Sequence, residues 1–169
     1  SSRMFGLDIS YAPPRSRDSA VWDCAREQFE RLARSSDSGN FLIFMPGAYE
    51  ISRTVGCILR SPASKGFDVL ALHGDLPPGE QDKVLAPGTR QSHSFDEVAE
   101  TSLTIEGVRF VIDSGLARVA RYDPARGVNT LLVERVSLAS AAQRAGRAGR
   151  TAPGTVVRLW RQSDEASFE

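Results

Sequence analysis

The residues best suited to chemistry lie together near the end of the chain, in Gln143-Arg144-Ala145-Gly146-Arg147-Ala148-Gly149-Arg150. Read as a helix, this octet places Gln143, Arg147 and Arg150 at i, i+4 and i+7, on one face. Guanidiniums in a row repel each other unless an anion sits among them. A triphosphate answers that need, because each planar fork bonds phosphate oxygens in pairs. The intervening Ala145, Gly146, Ala148 and Gly149 are small enough to let another backbone or a ligand come close. The plain alternative is a solvated, Arg-rich helix end; the Gly/Ala interleave and the lone glutamine favour the phosphate site. Arg144 falls off the shared face and reads as a structural or ion-pairing residue.

A chain of 169 residues is one domain or one large lobe. At this size roughly 70% of the unfolded surface is buried, enough for a full core. Apolar content of 41% and charged content of 25% are those of an ordinary globular protein. The formal net charge is zero, so no global field draws the chain to nucleic acid or membrane. The charge is unevenly spread, however. Between Ser114 and Arg161 nine arginines face only Asp123 and Glu134, an asymmetry typical of a surface turned toward a polyanion.

Cys24 and Cys57 occupy apolar positions of expected helices, without metal-ligand spacing, and read as buried thiols in a reducing compartment. His73 and His93 lack ligand-like neighbours, so no metal site is expected. No apolar run approaches the ~20 residues of a membrane span, and no signal peptide is visible. The expectations are therefore no membrane partner, no obligate oligomer and a cytoplasmic location.

The elements that must position the arginines follow from periodicity. Residues 3–11 alternate as a strand, ended by Pro13-Pro14. Val21, Cys24, Ala25, Phe29, Leu32 and Ala33 follow a 3.6 period, so a helix runs to about Arg34, with Asp18 as a plausible cap. Phe41–Met45, Phe67–Leu72 and Val108–Ile112 are continuous apolar runs, the mark of strands buried on both faces. A helix carrying Ile51, Val55, Ile58 and Leu59 follows the first of these, and a short helix from Leu76 to about Leu85 follows the second. Alternation of strand and helix predicts a mostly parallel sheet with helices on both faces. Residues 116–136 read as a hairpin, turning at Asp123-Pro124-Ala125-Arg126-Gly127. Ser137 or Ser140 caps the helix of the arginine octet, and Thr155–Trp160 is a last strand. Trp22 and Trp160 read as core or lobe-packing residues rather than stacking platforms. One stretch resists: Gln91-Ser92-His93-Ser94-Phe95-Asp96-Glu97 is polar on both faces, costly in a sheet centre, and is expected to be a loop or an irregular strand.

Five segments occur in a telling order: Phe41–Gly47 (FLIFMPG), Leu72–Gln81 (LHGDLPPGEQ), Ala99–Gly107 (AETSLTIEG), Phe110–Gly115 (FVIDSG) and Gln143–Arg150 (QRAGRAGR). Together they resemble the second, C-terminal RecA-like domain of DEAH-box helicases, superfamily 2 enzymes. Asp113–Arg118 (DSGLAR) and the Tyr122-Asp123-Pro124 hairpin are most similar to the bacterial HrpB-type branch. The likeness covers residues 4–160.

The resemblance implies a RecA-like, P-loop NTPase-type three-layer α/β sandwich with a projecting β-hairpin. It implies an enzyme that couples ATP hydrolysis to movement along RNA, or less often DNA. ATP with Mg²⁺ would sit between two lobes. The N-terminal RecA-like lobe, expected as partner and absent from this chain, would hold the metal. By motif, Arg147 and Arg150 resemble arginine fingers, and Gln143 the residue that places the attacking water or the γ-phosphate. Thr101 and Ser102 resemble the hydroxyls where nucleotide and nucleic-acid sites meet; a helix cap is the alternative. Glu106 resembles an acid near the ribose; a surface turn is the alternative. Gly47 would let a backbone amide approach a nucleic-acid phosphate.

The chain departs from the family in three places. Asp96-Glu97 stand where a phosphate-binding hydroxyl is usual, and Leu85 near a position often given to a phenylalanine against adenine. No GxxxxGK[ST] and no DEAH acid pair occur. The expectation is a motor lobe from a longer protein, inactive alone. The rival is a degenerate RecA-like domain kept as a non-catalytic binding or regulatory module.

Overall fold

The computed structural model describes residues 6–35, 39–72, 91–95, 108–150 and 152–168. In chain order the elements are β1 (Leu7–Tyr11), α1 (Val21–Ser35), β2 (Asn40–Phe44), α2 (Ala48–Leu59), β3 (Asp68–Leu72), β4 (Gln91–Phe95), β5 (Val108–Asp113), β6 (Leu116–Asp123), β7 (Val128–Arg135), α3 (Leu138–Ala145) and β8 (Gly154–Arg158). Short 3₁₀ turns lie at Pro62–Ser64 and Gln162–Ser167.

Six strands form one sheet in the order β1-β8-β5-β2-β4-β3. Every pairing in it is parallel. The central strands are apolar on both faces, as parallel strands between helices must be. Phe41 and Ile43 of β2 join Phe110 and Ile112 of β5 in one core, covered by Ala25, Phe29 and Leu32 of α1 and Ile51 and Ile58 of α2. Leu42 and Phe44 point the other way, to Val111, Val156, Ala145 and Ala148. The three-layer α/β sandwich expected from strand–helix alternation is thus present. Phe29, Phe41 and Phe67 are in mutual ring contact, and Phe110 stacks on Phe41 at 4.5 Å between centroids.

Of the two alternatives for the polar stretch, the structure shows the strand. Gln91–Phe95 is no loop but β4, an inner strand of the sheet, paired to β2 through Phe41↔Ser92 to Phe44↔Phe95 and to β3 through Asp68↔Gln91 to Leu72↔Phe95. Backbone pairing on both edges satisfies the main-chain donors and acceptors whatever side chains the strand carries. The expected helix after Leu76 and the Asp96-Glu97 pair lie outside the described residues.

β6 and β7 form a two-stranded antiparallel hairpin, in register from Leu116↔Arg135 to Asp123↔Val128. The Asp123 carboxylate accepts from the Ala125 amide, and Gly127 takes φ +67°, so the Asp…Gly turn chemistry is as expected. Most hairpin side chains are exposed, Tyr122, Leu131, Leu132 and Val133 among them. Its base is fixed: the Val136 amide donates to Gly115 O, and Gly115 has φ +73°. A Cβ at Gly115 would stand 2.6 Å from the Trp160 ring, so only glycine fits there.

Candidate functional site

The arginine octet is not one helix. α3 ends at Ala145, with Gly146 as its C-cap, and Arg147 and Arg150 lie in the turns beyond. Two glycines in four residues cost about 1 kcal/mol each in a helix interior, enough to stop a short one. The i, i+4, i+7 face therefore does not exist. Gln143 and Arg150 are exposed, whereas Arg147 is only 6% exposed. The small residues of the octet admit a backbone: a Cβ at Gly154 would lie 2.5 Å from Ala148 O. Turn 146–150 is thereby seated on the first residue of β8, at the amino edge of the sheet. Ser137, not Ser140, caps α3, its hydroxyl accepting from the Ser140 amide at 3.1 Å.

Arg144 is an ion-pairing residue, as expected. It is fully buried, and its Nη1 donates to Asp113 Oδ1 at 2.8 Å. Nη2 donates to Leu116 O at 3.2 Å, and the guanidinium lies 4.9 Å over the Phe44 ring. Asp113 Oδ1 also accepts from the Gly115 amide, while Oδ2 has no hydrogen-bond partner. Burial pushes the Asp113 carboxyl up; Arg144, the Gly115 amide and Arg158 pull it back. Meanwhile Arg144 O accepts from the Arg147 amide at 3.2 Å. One residue thus ties the hairpin base, through its side chain, to the arginine turn, through its main chain. The sequence signal for this partner was the Asp113 of the DSG segment, an acid closing an apolar strand.

Gly47 is buried at the N-cap of α2, with an ordinary extended backbone and no side-chain cap. Its lack of a Cβ serves close approach rather than an unusual dihedral. The neighbour is Arg118 at the start of the hairpin: a Cβ at Gly47 would lie 3.0 Å from the Arg118 guanidinium carbon. Arg118 also faces Glu50 of the first α2 turn at 3.8 Å. Sequence reasoning did not connect Arg118 and Glu50 with Gly47; strand β6 brings the arginine there only once the hairpin folds back from the carboxyl end of β5. The carboxyl ends of strands are where open α/β sheets bind ligands.

The structure does not join these groups into one pocket. Gly47 lies at the carboxyl edge of the sheet, turn 146–150 at the amino edge. Thr101, Ser102 and Glu106 lie outside the described residues. Among the described residues no cluster of three His, Cys, Asp or Glu side chains suited to a metal is found. The exposed donors, Gln143 and Arg150, suit phosphate oxygens rather than a cation.

Cys24 and Cys57 are free; Cys57 is buried and Cys24 only partly so. Burial raises both thiols above the ordinary value, and nearby acids add to it. Trp160 is core, 1% exposed, with its indole N–H donated to Glu165. Trp22 is not core: it sits partly exposed against Tyr49. Among the described residues no helix is long and apolar enough to cross a membrane.

Residues 24–152 match the family model of the helicase conserved C-terminal domain. The chain belongs to that family. It is 46% identical over 166 residues to the ATP-dependent RNA helicase HrpB of Escherichia coli, an alignment spanning 93% of this chain and 19% of that protein. The probable ATP-dependent RNA helicase DHX34 of Homo sapiens is 36% identical over 98% of this chain and 16% of its own length. In space, the chain superposes on the crystal structure of the E. coli DExH-box NTPase HrpB with a TM-score of 0.86, at 35% identity, over 98% of this chain and 20% of that one. The fold is accordingly RecA-like, and the DEAH-type, HrpB-like resemblance holds. The chain spans about a fifth or less of the length of these relatives.

Proposed function

We propose that this chain is the C-terminal motor lobe of an ATP-dependent RNA helicase. In this reading it supplies arginine fingers to ATP held chiefly by an N-terminal RecA-like lobe, which also carries the Mg²⁺, and it forms part of the nucleic-acid track. The observation that carries the reading is the arginine turn of a helicase-family chain, seated on β8 by the Ala148–Gly154 contact and anchored through Arg144. Arg150, exposed in the turn beyond α3, reaches the γ-phosphate across the lobe boundary. Arg147, largely buried in the same turn, is the second finger. Ser102 and Glu106 contribute to the nucleotide site, Thr101, Ser102 and Gly47 to the track. The chain alone, lacking a P-loop, does not hydrolyse ATP, and the whole protein works in the cytoplasm.

Arginine fingers are worth roughly 10³–10⁵ in rate because they meet charge spread over the transferring phosphoryl. In the full-length protein, Arg150→Ala and Arg147→Ala each lower kcat for RNA-stimulated ATP hydrolysis by orders of magnitude, with a much smaller change in KM. Turnover equal to wild type in both variants would overturn the assignment. The non-catalytic module drew its support from the polar stretch at Gln91–Glu97. Gln91–Phe95, paired on both edges as β4, fits an intact sheet and so favours the motor reading; Asp96 and Glu97 lie outside the described residues.

A further inference from the structure

Beside Gly47, on the carboxyl rim of the sheet, three side chains meet at the surface without serving the core. Tyr49, in the first turn of α2, is 55% exposed. Trp22, in the first turn of α1, meets it edge to face, with ring centroids 5.7 Å apart and planes at 84°. Arg53, one α2 turn further on, holds its guanidinium 5.5 Å over the Tyr49 ring and 5.6 Å over the Trp22 ring, and its Nε donates to the Tyr49 hydroxyl at 3.2 Å. The contact between α1 and α2 is already made lower down by Ala25, Phe29, Ile51 and Ile58.

We infer that Tyr49, Trp22 and Arg53 form a base-stacking ledge for single-stranded RNA, continuous with the backbone contact at Gly47. Every base has a π-face, so an aromatic ledge beside a phosphate-binding point grips a strand without reading its sequence. The charge fits an anionic strand. Among the described residues Arg53 has no carboxylate partner, whereas the two nearby acids are engaged: Asp23 with Arg26 at 3.9 Å and Cys57 at 3.7 Å, Glu50 with Arg118 at 3.8 Å. A guanidinium thus lies against Tyr49, from Arg53, and another against Gly47, from Arg118. A guanidinium carbon within 5.6 Å of both ring centroids already places a cation at the ledge, where it adds cation–π attraction to a stacked base. The inference rests on the RNA-motor reading and deepens it by naming the base-contacting surface.

The test uses the full-length protein and a fluorescein-labelled oligouridylate of about ten nucleotides, a length that suits a single groove. Tyr49→Ala weakens binding about five- to hundredfold, the range found when one base–aromatic stack is removed. It leaves the slope of log Kd against log salt unchanged, whereas Arg53→Gln lowers that slope by about one phosphate contact. Tyr49→Phe keeps most of the affinity. On an abasic strand of equal length, wild type and Tyr49→Ala bind alike. Unchanged affinity of Tyr49→Ala for the oligouridylate overturns the ledge, as does an equal loss on the abasic strand. Loss of binding to another protein with RNA affinity intact overturns it too, in favour of a protein-docking surface. If the wild-type protein binds no oligouridylate at all, the RNA-motor reading itself falls, an outcome distinct from the others.

Discussion

At the scale of single residues, Arg144 and Asp113 form the most deeply buried ion pair among the described residues. Both are essentially unexposed and 2.8 Å apart, so removing either leaves an uncompensated buried charge. Asp113→Ala should cost about 3–5 kcal/mol in urea unfolding. The contrast is Arg121–Glu134 on the hairpin, bidentate at 2.7 Å but in solvent. The arginine holds the Glu134 carboxyl below its ordinary value, yet Glu134→Gln should leave the unfolding midpoint where it is, as exposed pairs contribute little. The thiols give a further check. With both raised, Cys24 and Cys57 carry less thiolate at pH 8 than a free cysteine, so peptide-resolved alkylation by iodoacetamide should run slower at each. Rates equal to free cysteine would contradict the burial described.

At the scale of elements, strands with apolar runs were legible because a parallel strand between two helical layers has no polar face. β2, β3 and β5 fall within a residue or so of their expected bounds, and the hairpin turns on the expected Asp and Gly. β4 was not legible for the same reason: its residues lack the apolar signature, and main-chain pairing to β2 and β3 is invisible in composition. The octet misled in another way. Its residue types pointed to a phosphate-facing cluster, but helical spacing was assumed across Gly146 and Gly149, where the helix had already ended. Of the candidate site, the ion-pairing role of Arg144 is as expected, but for another reason: Arg144 lies inside α3, fully buried, whereas Arg147 and Arg150 lie beyond its end. The Arg118–Gly47 and Trp22–Tyr49–Arg53 contacts were not legible, since each joins segments that meet only after folding. Two substitutions test the element ends. Ser137→Ala removes the α3 cap and should cost about 1 kcal/mol. Gly115→Ala puts a Cβ against Trp160 at positive φ and should cost more, both read from shifts in unfolding midpoint.

At the scale of the whole molecule, the two proposed contact regions stand at opposite edges of one sheet. Gly47 and the hairpin base lie at the carboxyl edge; the arginine turn sits on the amino end of β8. α3 spans the distance between them, and Arg144 reaches back along it, as helical side chains do, to grip the carboxyl edge. A motor lobe needs such a link, because nucleotide state and grip on a strand must change together. The chain spans only about a fifth or less of its helicase relatives, so the proposed hydrolysis belongs to the longer protein. The 169-residue chain by itself should show no ATP turnover above buffer.

The central claim is that the arginines of turn 146–150 meet charge that develops only in the transition state. Binding of ADP with aluminium fluoride, compared with ADP alone, measures this in the full-length protein without turnover. Wild type should bind the transition-state mimic far more tightly than ADP. Arg150→Ala, and Arg147→Ala likewise, should lose that excess while keeping ADP affinity. Retention of the full excess in both variants would contradict the account.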